Sequence, residues 1–134
     1  ILADFPNYFL CIHGNHEERP YHIQTYRMKI WHGGEVYYEP EYPNILFAKD
    51  GEIYDFDGKK GIAIGGAYSC DKEYRLLTGL PWFPDEQPDD KVKSQVENKL
   101  NEVDWKVDYV FSHTCPLVYR PNRRNEECQE KIDL

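Results

Sequence analysis

The residues best suited to chemistry stand at the ends of short apolar runs. Gly14-Asn15-His16-Glu17 follows Tyr8-Phe9-Leu10-Cys11-Ile12, and Gly65-Gly66-Ala67-Tyr68-Ser69 follows Ile62-Ala63-Ile64. Ser112-His113-Thr114 follows Tyr109-Val110-Phe111. A continuous apolar run stopped by a polar turn reads as a strand buried on both faces. Open α/β sheets bind ligands outside the carboxyl ends of their strands. If the three strands run parallel, one rim holds Asn15, His16 and His113. Two imidazoles and an amide oxygen suit Mn, Fe, Zn or Ni better than Ca, which takes oxygens alone. The glycines let the backbone come close to a bound anion. Metal and anion access together point to hydrolysis of a phosphate ester.

The elements that must position these residues can be read from the spacing of turn signals. After Pro20 a loose helical stretch is expected toward the break at Gly33-Gly34. From Glu35 to Gly66 the texture is one of short strands: Val36-Tyr37-Tyr38, Ile45-Leu46-Phe47-Ala48, Ile53-Tyr54-Asp55-Phe56 and Ile62-Ala63-Ile64. Lys49-Asp50-Gly51 and Asp57-Gly58 are hairpin signals between them, so this part reads as an antiparallel meander. Pro88 opens a helix with Val92, Val96, Leu100 and Val103 on one face. Strand, helix, strand from Ile62 to Phe111 is a βαβ unit, whose two strands are expected to be parallel neighbours. The fold class is therefore α/β.

Composition narrows the function further. The chain has 134 residues, 40% of them apolar and 15% aromatic, enough for one core, and it reads as a single domain over 1–134. A net charge of −8 disfavours non-specific binding to nucleic acid or anionic membranes. Cys11, Cys70, Cys115 and Cys128 are scattered, with no C-x-x-C pair, and read as free thiols of a reducing compartment. No segment has the length and apolarity of a membrane span, and no signal peptide opens the chain. A soluble, cytoplasmic protein is expected.

Gly14-Asn15-His16-Glu17 after a buried strand resembles the GNH[E/D] motif of the calcineurin-like metallophosphoesterases. The strand ending in Ser112-His113-Thr114-Cys115-Pro116 resembles the family's next metal-ligand histidine, and Asn44 to Asp71 is similar to one bacterial-type branch. The likeness runs in order from Tyr8 to Pro116. It implies a sandwich of two mixed β-sheets flanked by helices. It also implies two divalent transition-metal ions (Mn, Fe, Zn or Ni) and a phosphate-ester substrate. Asn15 and His113 would be ligands of the second metal. His16 would bind no metal; it would sit over the scissile phosphate, steady the developing charge and protonate the leaving oxygen.

The family's D-x-H, G-D-x-x-D/E and G-H-x-H motifs do not occur in the chain. It starts at Ile1 without Met and ends at Ile132-Asp133-Leu134 inside a developing helix, so it reads as an internal segment, inactive alone. The rival expectation is a degenerate metallophosphoesterase that binds or scaffolds. His13 reads as a packing residue and Glu17 as a cap or an orienting group. His22 and His32 read as surface residues. Lys72 and Arg75 suit either phosphate recognition or an ordinary solvated helix start, with the latter favoured. Trp82-Phe83-Pro84 either lines a cleft or closes a loop over the core. A Cys115–His113 nucleophile pair lacks an orienting third group, and the four Cys lack zinc-site spacing.

Overall fold

The computed structural model describes residues 5–115. Seven strands and two α-helices follow in the order β1 (Phe9–Cys11), β2 (Arg27–Trp31), β3 (Gly34–Tyr38), β4 (Ile45–Ala48), β5 (Ile53–Phe56), β6 (Lys59–Ile64), α1 (Lys72–Thr78), α2 (Asp90–Glu102) and β7 (Tyr109–Ser112). They make two mixed sheets, a four-stranded one ordered β1-β4-β3-β2 and a three-stranded one ordered β5-β6-β7. The coarse α/β class expected from the sequence is what the chain adopts.

Local turn chemistry accounts for the hairpins. His32 (φ 50°) and Gly33 (φ 86°) both take positive φ between β2 and β3. Asp57 (φ 53°) and Gly58 (φ 84°) do the same between β5 and β6. Two successive positive-φ residues give a type I′ turn, whose twist matches that of the flanking strands. The Asp55 carboxylate accepts from the Gly58 amide at 2.6 Å and holds the second turn shut.

Two expectations are overturned here. No α-helix runs from Pro20 to Gly33; a single 3₁₀ turn at Pro20–His22 is followed by strand β2. Arg27-Met28-Lys29-Ile30 alternates polar and apolar residues, a period-2 pattern that β2 adopts as the edge strand of its sheet. Nor is the strand-rich middle one meander. β4 pairs with β3 and, in parallel, with β1, whereas β5 and β6 belong to the other sheet. Lys49-Asp50-Gly51 is thus a crossing between sheets and not a hairpin. The βαβ expectation holds, since β6 and β7 are parallel neighbours with Ile64 opposite Ser112.

The two sheets share one core. Val36, Leu46 and Ala48 from the larger sheet pack with Tyr54 and Ala63 from the smaller one. A buried side chain the size of Val36 or Leu46 contributes on the order of 2 kcal/mol by leaving water, and the alanine methyls less. Tyr54 joins the halves: it is 0% exposed, its hydroxyl donates to the Glu35 carbonyl at 2.7 Å, and it accepts from the Lys49 amide at 3.1 Å. Burial pushes its phenol well above the usual tyrosine range. Gly34 is required beside it, because a Cβ there would lie 2.7 Å from the Tyr54 ring.

Helix α2 is capped by Asp89, whose carboxylate accepts from the Val92 amide at 2.8 Å. Its Val92, Val96 and Leu100 are half-buried, and Val96 closes on Gly51 at the sheet crossing. Helix α1 is capped by Gly79 in the left-handed conformation (φ 73°) and leaves Leu77 87% exposed. Cys11 and Cys115 carry free thiols, and Cys70 is disulfide-bonded, which corrects the expectation of four free thiols. Among the described residues no helix is long and apolar enough to cross a membrane.

Candidate functional site

The turn after β1 is built from inside outward. His13 is buried, and its Nε2 meets the Asp50 carboxylate at 2.8 Å. The other oxygen of Asp50 accepts from the Gly65 amide at 2.6 Å, which ties the sheet crossing to the turn after β6. The His13 ring lies where a Cβ on Gly65 would be, so the double glycine lets the two turns touch. Gly66 completes the tie by donating its amide to the His13 carbonyl at 3.0 Å.

Arg19 locks the same turn from its far side. It is 3% exposed and donates to the Gly14 carbonyl at 2.5 Å, to the Asp85 carbonyl at 2.7 Å and to the Glu86 carbonyl at 2.8 Å. It also donates to His13 Nδ1. Because Arg has no acceptor, Nδ1 accepts and the His13 proton sits on Nε2, facing Asp50. The Glu17 carboxylate accepts from the Gly14 amide and closes the turn on itself. No α-helix follows for Glu17 to cap.

On this base stands Asn15, buried, with its amide held at both ends. Its Nδ2 donates to Ser69 Oγ at 2.9 Å, and the Ser69 amide donates to the Glu86 carboxylate at 3.1 Å. That leaves the Asn15 Oδ1 atom facing His113 Nε2 at 3.1 Å. Gly14 permits the approach: a Cβ there would lie 3.2 Å from His113 Cε1. Asn15 and His113, distant in sequence, are therefore brought into contact, although β1 and β7 lie in different sheets.

His16 turns the other way, toward α1. Its Nδ1 lies 2.9 Å from the Arg75 guanidinium, and its Nε2 lies 3.9 Å from the Asp71 carboxylate. Arg75 also donates to Asp71 at 2.9 Å and to the Pro81 carbonyl at 3.0 Å. The Arg75 hydrogen bond holds the Asp71 carboxyl below the usual carboxylate range. Arg75 is thus an interlocked part of the rim and not the ordinary solvated helix residue favoured from sequence. Lys72 lies over the Trp82 ring, 4.0 Å from its centroid. His22 is exposed and meets Asp85 at 3.0 Å; His32 is exposed as well.

Residues that sequence reading passed over carry much of this geometry. Arg19 and Glu86 lie in stretches with no motif of their own, Asp50 and Ser69 sit in turns that were read only as turns, and the partners of all four become neighbours only on folding. Among the described residues no group of three or more His, Cys, Asp and Glu side chains is arranged to hold a metal ion. Compared with protein-family models, with curated proteins and with solved structures, the chain finds no match in any of the three.

Proposed function

We propose that the chain is part of a metal-dependent phosphoesterase of the calcineurin-like kind, hydrolysing phosphomonoesters or phosphodiesters. The observation that carries the reading is the opposition of Asn15 Oδ1 and His113 Nε2 at 3.1 Å. Two donors each about 2.1 Å from one metal, at right angles to each other, stand about 3 Å apart. The mixed O/N donor pair fits a divalent transition ion, and with its Nδ2 on Ser69 the Asn15 amide presents its oxygen to His113. Asn15 and His113 would thus hold one of two ions in a sandwich of two mixed sheets.

When bound, such ions polarise phosphoryl oxygens and make hydroxide available near neutral pH. The chain's own residues do the rest. His16, exposed on the rim, meets the substrate with its Nε2, steadies charge on the phosphoryl group and gives a proton to the leaving oxygen. Asn15 stays fixed by Ser69 behind it, and His113 Nε2 rests on its Oδ1. A cytoplasmic location is part of the proposal, and the disulfide at Cys70 weighs against it.

The test is hydrolysis of an aryl phosphate and an aryl phosphodiester by the Mn²⁺-loaded parent protein and by its His16→Ala variant. A fall of roughly 100-fold or more in turnover, with the fold intact, supports the role of His16. Undiminished turnover in that variant sinks it. The second reading, a metallophosphoesterase-like binding or scaffold module, is favoured by the described residues offering two candidate ligands and no larger cluster. Stoichiometric metal binding without any turnover would select it.

A further inference from the structure

The rim contains a second arrangement that the GNHE resemblance does not assign. Arg75 and Asp71, on α1 and at its start, bracket the His16 imidazole from both sides. Arg75 is anchored by the Asp71 carboxylate and the Pro81 carbonyl, and its side chain is 14% exposed. A guanidinium offers donors and no acceptor. The His16 nitrogen at 2.9 Å from it therefore accepts, and the ring proton lies on the other nitrogen.

We infer that Arg75 is the positioning residue for His16, setting the tautomer in which Nε2 carries the proton and aiming that N–H outward. The inference rests on the role proposed above for His16, and it names what makes the proton donor single-valued. Asp71 at 3.9 Å from Nε2 is too far for a direct hydrogen bond, so the Nε2–H is left for a leaving-group oxygen. His13 shows the closed form of the same order: Arg19 on Nδ1, and Asp50 on Nε2 at 2.8 Å. In that trio the N–H is consumed inside the protein. In the outer one it is not.

The experiment is long-range ¹H–¹⁵N correlation NMR of the histidine rings in the 134-residue chain, with Arg75→Gln and Arg75→Ala alongside, at a pH where the rings are neutral. The expected result for the native chain is one His16 tautomer, with Nδ1 bare and Nε2 protonated. In both variants the His16 nitrogens should move to averaged, intermediate shifts while His13 stays unchanged. A native His16 ring protonated on Nδ1, or His16 signals unmoved by both substitutions, overturns the inference. Arg75→Gln guards against a folding failure in Arg75→Ala, and its backbone amide spectrum verifies the fold. The measurement needs neither metal nor turnover. If His16→Ala keeps full phosphoesterase activity, the functional reading fails while the tautomer result stands by itself.

Discussion

Two Arg–His–Asp trios flank the Gly14–Glu17 turn, one facing the core and one facing solvent. In the inner trio Arg19 and His13 are both buried, Asp50 meets His13 at 2.8 Å, and Arg19 satisfies three backbone carbonyls as well. In the outer trio His16 is exposed, Arg75 meets it at 2.9 Å, and Asp71 stops at 3.9 Å. The residue types and their order are the same; burial differs. Away from water each unmet donor or acceptor is costly, so the inner trio is closed and acts as a fastening. At the surface an unfilled N–H costs little, so the outer trio can keep one free for a substrate.

The contrast is broken most directly at the two arginines. Arg19→Ala should lower unfolding free energy by about 3–5 kcal/mol, because it orphans buried carbonyls and removes a buried charge from its partners. Arg75→Ala should cost about 1–2 kcal/mol, less than Arg19 because its His16 and Asp71 partners stay open to water. Urea denaturation of both reads the difference, and equal losses would erase the distinction between the trios. His16→Ala comes next: activity of the parent protein should collapse while stability of the chain moves by no more than about 0.5 kcal/mol, read from the same urea curves. A large loss of stability there would make His16 a structural residue.

The carboxylates sharpen the comparison on a smaller scale. Asp50→Ala should cost about 1–3 kcal/mol, since it strands the His13 N–H and the Gly65 amide, and Asp71→Ala should cost less than about 0.5 kcal/mol. Thermal melts of the pair suffice. The smallest effect is one of pH. The Asp71 carboxyl is held below its ordinary range, chiefly by the Arg75 hydrogen bond, so the unfolded chain takes up that proton first. Its small contribution is full above about pH 4, the unfolded value, and is lost as pH falls through the lower folded value. The stability gap between the native chain and Asp71→Asn should therefore shrink on acidification. A gap that widens would reverse the sign and refute the pairing.

How much of this was legible beforehand varies with the range of the forces involved. β4 and β5 fall on the runs Ile45–Ala48 and Ile53–Phe56 read from the sequence, and Asp57-Gly58 forms the hairpin its residue types call for. α2 was legible from its apolar face, although it starts at Asp90 behind an Asp89 cap and not at Pro88. β2 was not, because proline and the glycine pair suggested a helix between them. As an edge strand with Met28 and Ile30 exposed, its alternation does not mark a core face. The division of the middle strands between sheets was hidden as well, since a tight turn such as Lys49-Asp50-Gly51 serves a hairpin or a crossing equally.

The site divides along the same line. That Asn15, His16 and His113 stand at strand ends followed from composition and turn chemistry alone, which act over a few residues and favour their local conformations without help. That Asn15 and His113 face each other at 3.1 Å, while His16 turns away to Arg75, was decided by tertiary structure. Side-chain direction at a turn is set by what packs behind it. Here that is Ser69 behind Asn15, with the Arg19–His13–Asp50 layer holding the turn that carries it. Those partners come from segments far apart in the chain, and their hydrogen bonds exist only once the two sheets have closed on a common core and excluded the water that would otherwise compete for them.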